Sequence, residues 1–140
     1  GKSRALALAY KEIIDYIDKI TRDLKIPVFA KYHPKSTEKD KILSNRIIII
    51  ENINDLPPDY QYLAVTFYST YSIELLEIMP FLIINPHGIL NTKYFFPQND
   101  LIYVKDYDEF KEKIKKFIDT PNYYYDYWEA LISIFKENIG

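Results

Sequence analysis

Two hydrophobic periods alternate along the chain. Ile13, Ile17, Ile20 and Leu24 recur at steps of four, three and four, which predicts one stripe of a helix over about 9–23. Pro27 stops its continuation. Residues 26–32 are short, β-branched and aromatic, and are closed by Pro34; they read as a buried strand. The segment 35–45 is charged and polar, a loop or a short solvated helix. Four consecutive isoleucines within 46–51 predict a strand covered on both faces. Pro57 and Pro58 make 54–59 a turn. Strands are expected at 62–67, 81–85 and 101–105, with a short helix over 70–79 that Pro80 ends. Two helices close the chain. Phe110, Ile114, Phe117 and Ile118 share a face of the first, over 107–118. After Pro121, Tyr124, Trp128, Leu131, Phe135 and Ile139 keep the same spacing in the second.

Near-continuous apolar strands alternating with amphipathic helices predict an α/β domain: a Rossmann-like parallel sheet with helices on both faces. The chain opens directly before a helix, where a doubly wound domain begins with a strand. Residues 5–9, small and unbranched, are a poor substitute. The expectation is therefore one domain spanning 1–140, cut from a longer protein and lacking its first strand.

Composition narrows the chemistry. At 140 residues there is room for one sizeable core, and 48% hydrophobic with 27% charged residues is a globular balance. The absence of cysteine removes disulfides, thiolate metal sites and thiol nucleophiles, and fits a reducing compartment. A net charge of -2 argues against a general nucleic-acid partner, which needs a basic surplus. No apolar run has the length of a membrane span, and no secretory signal opens the chain. The lysines of 111–116 form a basic face that reads as solvated surface, with contact to an anionic membrane as the alternative. Isoleucine (22), lysine (15) and tyrosine (14) are favoured by AT-rich codons, so the tyrosine count alone marks no binding surface. Three glycines, two of them terminal, cannot build a phosphate loop, and no cluster has metal-ligand spacing; no cofactor is expected.

Ligands of open parallel sheets bind beyond the carboxyl ends of the strands. Two polar pairs stand there. Ser69 and Thr70 open the helix after the strand at 62–67, where hydroxyls and first-turn N–H groups suit a phosphate. The plain alternative is helix capping. Glu74 is four residues past Thr70, one too far for a capping box, and is available to a ribose hydroxyl. His33, its backbone restricted by Pro34, could donate to a phosphate oxygen or stabilise a leaving group, with Lys31 on the same side of a continuing strand. A locally bonded loop histidine is the alternative. His87, in the turn Asn85-Pro86-His87-Gly88, reads mainly as part of that turn.

The run 28–34 (VFAKYHP), a polar loop, a strand, a proline turn and then 63–70 (LAVTFYST) resembles the nucleotide-binding half of GT-B-type glycosyltransferases. It is most similar to bacterial sialyltransferases and polysialyltransferases with a His-Pro motif and a later Ser-Ser/Thr motif. The resemblance covers about 26–85 and implies that His33 and Pro34, with Ser69 and Thr70, hold the CMP part of CMP-sialic acid, His33 acting on the leaving phosphate. Capsule glycerophosphotransferases, which use a CDP-linked donor, are similar through Lys31-Tyr32-His33-Pro34. The acidic motif carrying the catalytic base in the sialyltransferases has no counterpart here, so the base is expected outside this chain.

The resemblance thus implies a donor-binding domain of an enzyme of lipooligosaccharide or capsule biosynthesis. Its partners would be a nucleotide-sugar donor and a glycan acceptor, and its place the cytoplasm or the inner face of the inner membrane. The alternatives are a non-catalytic Rossmann-like module whose polar turns are only caps, and a response-regulator-like domain. The last predicts an acidic cluster at the first strand ends, which the sequence lacks.

Overall fold

A computed structural model of the chain describes residues 2–31, 47–66, 75–85 and 102–139. It is a mixed α/β structure with two small parallel sheets and three α-helices among the described residues. The chain divides into two compact units, one of Tyr10–Tyr60 and one of Gly1–Ala9 with Gln61–Gly140.

Helix α1 runs Lys2–Leu24 and contributes to both units. It starts well before the stripe of isoleucines, because Ala5, Leu6, Ala7, Leu8 and Ala9 are among the strongest helix formers. The same lack of branching that makes them poor strand residues is a helix signal. The buried stripe is Ala9, Ile13, Tyr16 and Ile20, with Ile17 and Leu24 only half-buried. Thr21, buried on the same helix, satisfies its hydroxyl by donating to the Asp18 carbonyl at 2.7 Å. Lys25 ends the helix in the left-handed region (φ 52°), its N–H donating to the Thr21 carbonyl at 3.1 Å.

In the unit of Tyr10–Tyr60, β1 (Val28–Ala30) pairs in parallel with β2 (Ile47–Ile49). β1 is half-buried. The isoleucine run departs from expectation: Ile47 is buried, but Ile48 and Ile49 are each 51% exposed. Successive strand residues point to opposite faces, so neither face of β2 is fully covered. Among the described residues β2 has a neighbour on one side only, which is why a doubly apolar pattern does not make it a central strand. A 3₁₀ turn, Ile53–Asp55, comes next, held by the Asn52 N–H donating to Asp55 Oδ2 at 3.1 Å.

In the other unit β3 (Ala64–Thr66), β4 (Phe81–Ile84) and β5 (Tyr103–Val104) pair in parallel, in that order. All four residues of β4 are buried, Leu82, Ile83 and Ile84 completely. The central strand is thus the one covered on both faces. Parallel pairing accounts for this, since crossovers lay cover over the middle of a sheet.

Helix α2 (Tyr107–Asp119) buries Phe110 and Ile114; Ile118, expected on that face, is half exposed. Its lysines are interleaved with Asp108, Glu109, Glu112 and Asp119, so its outer face is of mixed charge and not basic. Asp106 caps it, Oδ1 accepting the Glu109 N–H at 2.8 Å. Thr120 ends it, its N–H and hydroxyl both donating to the Lys116 carbonyl. Pro121 then starts helix α3 (Pro121–Ile139), a position where the missing N–H costs nothing. The two helices meet through Phe117, which packs edge-on to Tyr124 and stacks on Tyr125.

Two side chains of α3 hold the sheet from its amino end. The Ala64 N–H donates to the Pro80 carbonyl at 2.9 Å, as the register of Ala64 opposite Phe81 requires. One step down this register, the Tyr62 carbonyl would receive the N–H of residue 80, and proline has none. The Tyr125 hydroxyl takes that place. It donates to the Tyr62 carbonyl at 3.2 Å and accepts the Tyr62 N–H at 3.1 Å. The Trp128 indole N–H donates to the Leu76 carbonyl at 2.6 Å, fastening the turn of Leu75–Met79 that leads into Pro80.

Candidate functional site

A site in this architecture is built from the carboxyl ends of parallel strands, and the ladders define where those lie. In the first sheet Ala30 pairs with Ile49, and the Ile50 N–H donates to the Ala30 carbonyl at 2.9 Å. Both strands therefore end at one edge. Lys31 is the next residue and is exposed. His33 and Pro34 come two and three residues later and lie outside the described residues, as do Ser69, Thr70, Glu74 and His87.

In the second sheet Thr66, Ile83 and Tyr103 are level, and the Asn85 N–H donates to the Val104 carbonyl at 2.7 Å. Three chain segments leave this edge: one from Thr66, three residues before Ser69; one from Asn85; and one from Val104 through Lys105 and Asp106 into α2. Lys31 thus belongs to the unit of Tyr10–Tyr60, and the strand that leads to Ser69 belongs to the other.

One feature of the second edge has a clear electrostatic meaning. The N-terminus of α2 lies there, and a helix N-terminus attracts anions through its open N–H groups and its dipole. In α2 that role is taken. The Asp106 carboxylate accepts the Glu109 N–H, and Asp108 and Glu109 add negative charge in the first turn. A phosphate would meet like charge at this helix.

The edge is held from the side by Lys113. Ile83 and Asn85 donate to the carbonyls of Ile102 and Val104, so Tyr103 turns its polar backbone away from β4. The Lys113 ammonium donates to the Tyr103 carbonyl at 2.9 Å and pairs with Glu109 Oε1 at 2.9 Å. Its side chain is 12% exposed, so this is a shielded contact. A lysine against the outer backbone of a strand also discourages pairing with another chain. Lys113, read from sequence as solvated surface, is a positioning residue for β5 and α2. So are Tyr125 and Trp128 for β3 and the turn before β4. Pro80 was the available signal for Tyr125: a proline immediately before a strand leaves a neighbouring carbonyl to be satisfied elsewhere.

The opposite, amino end of the sheet holds an apolar cavity lined by Pro80, Phe81, Ile102, Tyr124, Tyr127, Trp128 and Leu131. The Tyr124 hydroxyl is buried and has no hydrogen-bond partner among the described residues. Burial, reinforced by the charges of Tyr123 and Glu112, pushes its pKa up to about 12. Tyr123, on the preceding position, is exposed, with the Lys116 ammonium 3.8 Å from its ring centre.

No group of His, Asp and Glu side chains among the described residues could hold a metal ion. No described helix is long and apolar enough to cross a membrane. No family model, curated protein or solved structure matches the chain.

Proposed function

We propose that this chain is the donor-nucleotide-binding half of a GT-B-type glycosyltransferase, Rossmann-like in fold and similar to bacterial sialyltransferases that use CMP-sialic acid. What supports this reading is sequence order: each polar pair follows a strand of a parallel ladder, the two ladders belonging to different units. His33 is the third residue after Ala30, and Ser69 the third after Thr66. Each pair therefore succeeds the carboxyl end of a parallel strand, the position from which such sheets present ligand-binding groups.

In this reading the donor's phosphate is the leaving group, and negative charge grows on it as the glycosidic bond breaks. His33 donates to that phosphate, and Ser69 and Thr70 add hydroxyl donors. Lys31 contributes positive charge, Pro34 restrains His33, and Glu74 accepts from a ribose hydroxyl. Donors already oriented toward the developing charge favour the transition state over the ground state. The base that activates the glycan acceptor belongs to another part of the enzyme. The enzyme would act in surface-glycan synthesis, in the cytoplasm or against the inner membrane.

The test is calorimetric titration with CMP, CDP and UDP, on the wild-type chain, on His33→Ala and on a Ser69→Ala/Thr70→Ala double variant. Selective binding of CMP, weakened about tenfold or more by each variant, is the expected result; tenfold corresponds to about 1.4 kcal/mol. Preference for CDP would shift the reading to a glycerophosphotransferase-like donor. Binding of none of the three overturns it in favour of a non-catalytic module. That second reading has one observation on its side: the α2 N-terminus, at a carboxyl edge, is closed by its own Asp106.

A further inference from the structure

We draw no further inference here: the strongest candidate, the apolar cavity between α3 and the starts of β4 and β5, is no larger than a single water and belongs to the helix–sheet packing already described.

Discussion

Removing the Tyr124 hydroxyl should stabilise the protein. The phenol is only 3% exposed and its oxygen has no hydrogen-bond partner among the described residues. In the unfolded chain that hydroxyl is hydrated, so folding carries a desolvation cost of about 1–3 kcal/mol with no bond made in return. Tyr124→Phe keeps the ring, and with it the edge-on contacts to Phe117 and Tyr123. The expected gain at pH 7 is about 1 kcal/mol, or roughly 5 °C in Tm for a unit of this size. Alkaline pH gives a second, independent signature. The folded pKa of about 12 lies above the ordinary value of 10.0. Between these values the unfolded chain releases the Tyr124 proton and the folded chain keeps it. Titration of this group leaves stability untouched below pH 10 and lowers it as pH rises through 12. The corresponding loss is on the order of 1–3 kcal/mol once solvent screening is allowed for. Urea denaturation followed by Trp128 fluorescence reads this directly, because the chain's one tryptophan lines the same cavity. The midpoint should rise at pH 7 with an unchanged slope, and the gap between variant and wild type should widen from pH 10 to 12. A variant destabilised at pH 7, or two alkaline profiles that run parallel, would refute the reasoning.

Further variants test the sheet's supports. Tyr125→Phe takes from Tyr62 the donor that stands in for the missing N–H of Pro80, together with an acceptor; a loss of about 1–2 kcal/mol in urea denaturation is expected, and no change would show the contact to be idle. Lys113→Met removes the ammonium from the Tyr103 carbonyl and leaves the Glu109 carboxylate partly shielded without it, for a loss of about 1–2 kcal/mol that Glu109→Gln in the same chain should reduce. Asp106→Ala should cost about 1 kcal/mol and speed amide exchange in the first turn of α2, read by hydrogen exchange. Lys25→Gly should stabilise the fold by about 1 kcal/mol, since glycine adopts φ 52° without a Cβ penalty; a lower urea midpoint would mean that its greater unfolded freedom dominates.

Element type was largely legible where a single hydrophobic period runs long enough. α2 and α3 fall where Phe110, Ile114, Tyr124 and Leu131 predict them, and Pro121 divides them as expected. Short apolar runs are ambiguous in a consistent way. Ile47–Ile49 and Phe81–Ile84 have the same pattern, yet only the second is enclosed. The difference lies in neighbours: β4 has one strand on each side, and no local pattern encodes which run will be flanked. The start of α1 is obscured for the opposite reason. Alanine and leucine at 5–9 are weak as strand residues, but it is their helix propensity that decides.

The supports around the strand ends were least legible because each joins residues far apart in sequence. Tyr62 and Tyr125 are 63 positions apart, and Leu76 and Trp128 are 52 apart. From sequence, the stretch from Tyr123 to Trp128 is merely aromatic-rich. In the structure its members divide by angle around α3: Tyr125 reaches a backbone that proline left incomplete, Trp128 holds the turn before it, and Tyr123 faces outward beneath Lys116. These contacts bear on the proposed site through register. A parallel ladder transmits a shift at its start to its carboxyl end, because every side chain moves with the strand. A weakened Tyr125 contact should therefore disturb the segment beginning at Thr66, which leads to Ser69 and Thr70. If these hydroxyls bind a nucleotide phosphate, Tyr125→Phe should lower CMP affinity from the far end of the strand, and Lys25→Gly should not. Equal affinities in wild type and both variants would separate the sheet's stability from any role in placing a ligand.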